Sequence, residues 1–325
     1  MPLNYQILDV FVSTPFAGNP LAVVDLRDET VLRDGLPGDD FFYRVAQEFN
    51  FSDTVFLCPP ENDVHSSRLR ILTPDRELPF AGHPTVGAAV ALARSSLAAG
   101  LSEGLILLEV EIGLIRAAVK FEADDEDRIN GFGEFDLLSI PEKGGWNPDK
   151  NELAFALGVS WDKIGFENHE PTLFDGALPY FLVPVADQST LASLKPNPET
   201  LDALLKAGRE VRGPEFDAVQ DSVYVYSRDT VTAEADFAAR KLWVEDGRLQ
   251  EDPATGSAVA SLAGALHLFD APLAGLHKLC IEQGHAIGRP SKIRLEMDVG
   301  EDGALVRTRL GGEALLIGEG SLFWP

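Results

Sequence analysis

Residues 77–92 read ELPFAGHPTVGAAVAL, and residues 251–266 read EDPATGSAVASLAGAL. At a constant offset of 174 positions, Glu77 falls on Glu251, Pro79 on Pro253, Gly82 on Gly256 and His83 on Ser257. In each copy a Pro and a Gly end the preceding strand or loop, and small apolar residues follow. Pro84 suits a first helical turn, where its missing N–H has no acceptor in any case. Ser257 is a good N-cap. The two helices this predicts, about 84–98 and 258–269, are apolar nearly all round. A helix with no polar face must be buried on every side. Each half of the chain is therefore expected to wrap strands around one central helix, giving two pseudo-equivalent domains.

Outward from these helices, strands dominate. They are expected at 5–12, 21–26, 53–58, 68–73, 105–110 and 114–121, with a helical stripe over 39–49. Asn147 and Pro148 read as the cap and first residue of a second-half helix that ends before Gly158. Further strands are expected at 180–185, 222–227 and 237–245. The tail, 291–323, reads as strand broken by turns at 300–303 and at Gly311-Gly312. Few strand–helix–strand units appear, which argues for an α+β fold and against a doubly wound parallel sheet. The charge run over 122–128 (EADDEDR) reads as a solvated loop and a domain boundary. The expected domains are 1–128 and 129–325, with the final strand able to pack on the first.

Composition narrows the partners. Asp and Glu number 52 against 27 Lys and Arg in 325 residues, a formal net charge of −25. That field opposes nucleic acid and anionic lipid, although a local site can still take a small anionic substrate. No apolar run approaches the length of a spanning helix. The N-terminus lacks a basic segment followed by an apolar run, so no signal peptide is expected. The two cysteines, Cys58 and Cys280, form no disulfide framework and no zinc-type spacing. Two reduced thiols in a cytoplasmic protein, packed as small buried hydrophobes, is the simplest reading. Gly284 to Gly288 lacks the strand–glycine–helix context of a nucleotide site. His65, His169, His267 and His277 show no ligand spacing, and no metal is expected.

The helix starts carry the functional reading. A helix N-terminus presents unpaired N–H groups and partial positive charge, which suits a carboxylate. Two such ends across a domain cleft would hold an anion and stabilise charge that develops when a proton is removed beside a carboxyl group. One copy alone would be ordinary capping. Polar His83 and Ser257 at matched positions of two copies favour a site.

At these residues the sequence resembles the phenazine-biosynthesis PhzF-like isomerase family, which has the diaminopimelate-epimerase-like fold. The resemblance rests on Leu8–Phe11 with 16–20 (FAGNP), 50–56 (NFSDTVF), Thr73-Pro74 with 77–84, 251–258, 282–284 with 288–291, and Gly311 to Glu313. It implies two open β-barrels, each around a central α-helix, with the active site between them. It also implies a homodimer and neither metal nor organic cofactor. Carried over by motif, the acid–base group is Asp53, with His83 beside it, and Gly82, Asp252, Gly256 and Ser257 hold the substrate. The phenazine enzymes have Glu where Asp53 stands; Asp keeps the carboxylate and loses one methylene of reach. Glu48 reads as an exposed helix residue rather than its substitute. The epimerase relatives of this fold use one cysteine at each helix start; here those positions hold Gly82 or His83 and Gly256 or Ser257, which argues against a two-thiol racemase. The expected activity is a cofactor-independent proton relocation on a small carboxylate-bearing metabolite. The alternatives are an amino-acid epimerase or racemase with a non-thiol pair, and a non-catalytic ligand-binding member.

Overall fold

The computed structural model describes residues 2–28, 37–96, 101–122, 129–146, 148–176, 178–212 and 221–323. It divides into two compact units, Met1–Leu138 with Gly311–Pro325, and Ser139–Leu310. The division falls ten residues beyond position 128. The charge run over 123–128 lies outside the described residues. The last fifteen residues belong to the first unit, because their strand pairs there.

In the first unit, β1 (Pro2–Val10) pairs antiparallel with β2 (Asn19–Asp25), and α1 (Asp39–Phe49) leads to β3 (Asp53–Cys58), parallel to β2. Then β4 (Ser67–Leu72) runs antiparallel to β3, and the two-residue β5 (Glu77–Leu78) turns back on it. The helix α2 (Gly82–Ser96) follows, then β6 (Glu103–Val110), parallel to β4, β7 (Gly113–Phe121) and β8 (Asn130–Asp136).

The second unit opens with β9 (Glu142–Lys143) and α3 (Lys150–Leu157). It then repeats the order: β10 (Thr172–Asp175) antiparallel to β11 (Pro179–Pro184), then α4 (Gln188–Ser193) and α5 (Pro198–Arg212). Next, β12 (Ser222–Ser227) is parallel to β11, and β13 (Phe237–Glu245) is antiparallel to β12. It continues with β14 (Arg248–Asp252), α6 (Gly256–Asp270), β15 (Gly275–Gln283), parallel to β13, and β16 (Ser291–Val299). The ladder senses match strand for strand. The repeat read from two short segments therefore extends to whole units, and the α+β, two-barrel class holds.

In the first unit the ladder runs full circle. The long final strand β17 (Leu305–Phe323) pairs with β1 on one side and with β8 on the other. Eight strands then enclose α2, and residues 82–93 are all buried. The helix α6 is likewise buried from Gly256 to Leu266. Its small residues let neighbouring side chains approach: an added Cβ on Gly264 would lie 2.3 Å from the Phe174 ring.

Three local expectations are corrected. Gly311 and Gly312 lie inside β17 and do not form a turn. A Cβ on Gly311 would lie 3.0 Å from the Gly133 carbonyl oxygen, so the small residue serves close packing. The α3 cap is Asp149, whose carboxylate accepts from the amides of Asn151 and Glu152; Asn147 is outside the described residues. Cys58 is buried, but Cys280 is only half-buried in β15; neither is in a disulfide. Burial pushes the Cys58 thiol up to about 11, against the charges of Arg68 and Arg70, which keeps it protonated and inert. Among the described residues no helix is long and apolar enough to cross a membrane.

The Glu282–Gly284 motif is scaffolding. Glu282 is fully buried and accepts from the amides of Val231 and Thr232, from the Thr232 hydroxyl at 2.8 Å and from His285 Nε2 at 3.3 Å. Burial pushes its carboxyl up, but these donors, His285 first, outweigh burial and hold it below the usual range. A depressed carboxyl stabilises the fold above its unfolded value, about 4.3, and the contribution is lost as pH falls through the folded value. Glu282→Gln is expected to cost about 1.5–3 kcal/mol at neutral pH. Denaturant titrations should show the deficit narrowing below about pH 4; a deficit independent of pH would contradict this. Gly176→Ala should cost about 1–3 kcal/mol by overpacking, because its Cβ would meet the Ala260 and Ser261 backbone at 2.7 Å. Unchanged thermal unfolding of that variant would show that α6 can move aside.

Candidate active site

In the first unit three element starts converge. Asn19 opens β2, Asp53 opens β3 opposite Leu21 of β2, and His83 is the second residue of α2. The chain reaches Asp53 through Asn50, which closes α1 in the left-handed conformation, with φ 52°. Asp53 and His83 are 6% and 4% exposed, so both are nearly withdrawn from water. His83 Nε2 lies 3.6 Å from Asp53 Oδ2, an ion-pair separation slightly too long for a hydrogen bond. On its other side His83 Nδ1 lies 3.3 Å from Asn19 Nδ2. The Ser52 hydroxyl donates to Asn19 Oδ1 at 2.8 Å. Gly82 opens α2, and the Ala81 carbonyl just before it accepts from the Thr85 amide and hydroxyl. The helix begins two residues earlier than the sequence suggested, and Pro84 still falls in its first turn, where an N–H would have no partner. Glu48 is exposed on α1.

In the second unit Asp252 ends β14, opposite Lys241 of β13. Its Oδ2 accepts from the Thr255 hydroxyl at 2.5 Å and lies 3.9 Å from Lys241 Nζ. Gln283 ties this corner together. Its Nε2 donates to the Asp252 carbonyl at 2.8 Å and to Thr255 Oγ1 at 3.1 Å, and its Oε1 accepts from the Thr255 amide and the Tyr224 hydroxyl. Burial, reinforced by the Asp252 charge, pushes the Tyr224 phenol well above its ordinary value, so it remains a neutral donor. Thr255, not Ser257, occupies the position before α6. Ser257 lies one residue inside the helix, and its hydroxyl shares a 2.7 Å hydrogen bond with Tyr180. Gly256 opens the helix.

The structure thus puts Asp53, His83 and Gly82 together at the start of α2, and Asp252, Gly256 and Ser257 together at the start of α6. Sequence reading missed Asn19 and Ser52, although both lie in motifs it quoted; the polar residue at the end of a turn was the available signal. It also missed Thr255, which lies in a quoted motif three residues from Asp252, and Tyr180, Lys241 and Gln283, which only contacts between distant segments bring in.

Among the described residues, Glu167, His169 and Asp270 are close enough to share a cation. Arg228 already supplies one. Its Nη2 lies 2.5 Å from Asp270 Oδ1 and 3.5 Å from Glu167. His169 is fully engaged between Tyr226 and Asp270, at 2.9 and 2.8 Å. These residues fit an internal ion network, not an ion-binding centre.

This arrangement can hold an anion and move a proton. A buried carboxylate beside an imidazole can take a proton from carbon, and backbone N–H groups at a helix start can stabilise the charge that results. Comparison with known proteins gives the family. Residues 8–320 match the family described as phenazine biosynthesis-like protein. The chain is 42% identical over 323 residues to an uncharacterized isomerase of Mesorhizobium japonicum, covering 98% of each. It is 28% identical over 334 residues to the trans-2,3-dihydro-3-hydroxyanthranilate isomerase of Pseudomonas fluorescens, covering 98% of this chain and 99% of the other. Among solved structures, a PhzF-family phenazine biosynthesis protein of Bacillus anthracis superposes over the whole of both chains, with a TM-score of 0.81 at 20% identity; that likeness speaks for the fold. On its fold, its motifs and its whole-length relatives, the chain belongs to the phenazine biosynthesis-like, or PhzF-like, family, and both relatives named above carry the name isomerase.

Proposed function

We propose that this protein is an isomerase that relocates a proton on a small carboxylate-bearing metabolite, without metal or organic cofactor. Asp53 takes the proton from one carbon and returns it to another. His83 lies beside it and assists. Gly82, Gly256 and Ser257 hold the substrate carboxylate and its neighbours, and Asp252 orients an amine or hydroxyl. The observation that carries this reading is the buried Asp53–His83 pair at the start of a core helix. A carboxylate held beside an imidazole and away from bulk water suits a group that must both accept and donate a proton. Family relatives named for trans-2,3-dihydro-3-hydroxyanthranilate make that compound the first substrate class to try.

Asp53 is one methylene shorter than the Glu that the resemblance leads one to expect, and the reading holds that this carboxylate still reaches. The homodimer is proposed on the resemblance alone. A cytoplasmic setting is in keeping with two cysteines outside any disulfide. An epimerase with Asp53 and His83 as its two groups would invert a stereocentre without moving a double bond. A binding member would hold the same ligand without turnover.

Asp53→Asn keeps the side-chain shape and removes the base. Turnover is expected to fall by at least about a hundredfold, with the thermal midpoint little changed. Steady-state rates beside a melting curve provide the check. A rate within a few-fold of the parent, in a folded variant, would sink Asp53 as the shuttle.

A further inference from the structure

We infer that Asn19, held by Ser52, is a positioning residue that fixes the proton of neutral His83 on Nε2, the nitrogen facing Asp53. The structure sets the carbonyl end of the Asn19 amide, Oδ1, against the Ser52 hydroxyl, which donates to it at 2.8 Å. The other end, Nδ2, carries two protons and no lone pair to offer. It faces His83 Nδ1 at 3.3 Å. That contact is a hydrogen bond only if Nδ1 is bare. A neutral imidazole has one protonated nitrogen, so the proton sits on Nε2, 3.6 Å from Asp53 Oδ2.

The same contact opposes the imidazolium. A proton on Nδ1 would point at the amide's own protons inside a site where Asn19 has no exposed surface and His83 almost none. His83 is therefore held as a neutral N–H donor aimed at the carboxylate. In the acid–base reading of Asp53, on which the catalytic consequence rests, this division leaves the carboxylate to exchange the proton with carbon. His83 steadies that carboxylate and gives up no proton at Nδ1. The three groups come from separate elements, β2, the segment before β3, and α2, so local sequence order alone does not produce the alignment.

The test reads the tautomer without substrate. The protein is grown with imidazole-nitrogen-15 histidine, and the His83 signals among the six histidines are assigned with His83→Gln. Two-dimensional nitrogen–carbon-proton spectra at neutral pH distinguish a bare from a protonated ring nitrogen. The parent is expected to show bare Nδ1 and protonated Nε2. Asn19→Asp replaces the donor by an acceptor of the same shape, and its His83 is expected to carry a proton on Nδ1, alone or on both nitrogens. A parent spectrum with Nδ1–H overturns the inference, and that measurement needs no variant to fold. So does an Asn19→Asp spectrum identical to the parent. With a substrate in hand, Asn19→Asp should lower kcat at least roughly tenfold with KM little moved, as expected when a catalytic imidazole is held in the wrong tautomer. A switched tautomer with unchanged kcat would remove His83 from the proposed chemistry and leave the assignment of its proton standing. Loss of activity in Asp53→Asn with a parental His83 spectrum would test the shuttle separately.

Discussion

Two helices without a polar face set the terms for this molecule. Neither α2 nor α6 can stand in water, and each is short of large side chains with which to fill a core by itself. Both needs are met by closing strands around the helix. The apolar inner face of the barrel covers every side of the helix, and each buried Val or Leu contributes about 1.5–3 kcal/mol to that closure. Small residues on the helix and opposite it let the surrounding chain approach: Gly176, just past β10, lies against the α6 backbone. The rest of the chain follows from satisfying this constraint twice.

A helix enclosed along its length still has an end. Its first N–H groups lack intrahelical acceptors and carry the positive end of the dipole. In each unit the chain enters the helix from a short strand through a Pro and a Gly, which places backbone donors and a polar side chain at one spot. The surroundings differ. In the first unit the neighbours are a carboxylate, an imidazole and the amide that orients it. In the second they are a carboxylate capped by Thr255, a lysine across the strand pair, and a tyrosine–serine hydrogen bond. The two helix starts of a repeated scaffold are thus furnished differently, one with a carboxylate–imidazole pair and the other with a carboxylate, a lysine and hydroxyls.

Much of the fold was legible because it depends on period and punctuation. The offset between Glu77 and Glu251 located both core helices, and runs such as 222–227 and 237–245 read as strands to the residue. Legibility failed where tertiary contact decides. Gly311 and Gly312 look like a turn in sequence, yet they lie within β17 because its partner strand approaches closely. The helix α5 was not anticipated, since amphipathic charge-rich segments give a weak signal beside a dominant strand texture. In the candidate site, Asp53, His83 and Ser257 were named from motifs. Asn19, Tyr180 and Gln283 were not, because each acts on a residue at least 28 positions away.

The central claim is proton transfer at carbon by this chain alone. The most direct measurement is wash-in of solvent deuterium. The wild-type protein is incubated in deuterated water with trans-2,3-dihydro-3-hydroxyanthranilate and with a panel of amino acids, and carbon-bound deuterium is followed by NMR. The account predicts deuterium on a ring carbon of the dihydroaromatic acid as its double bonds move. Deuterium at the α-carbon of an amino acid, with the dihydroaromatic acid untouched, would contradict it and make the protein an epimerase.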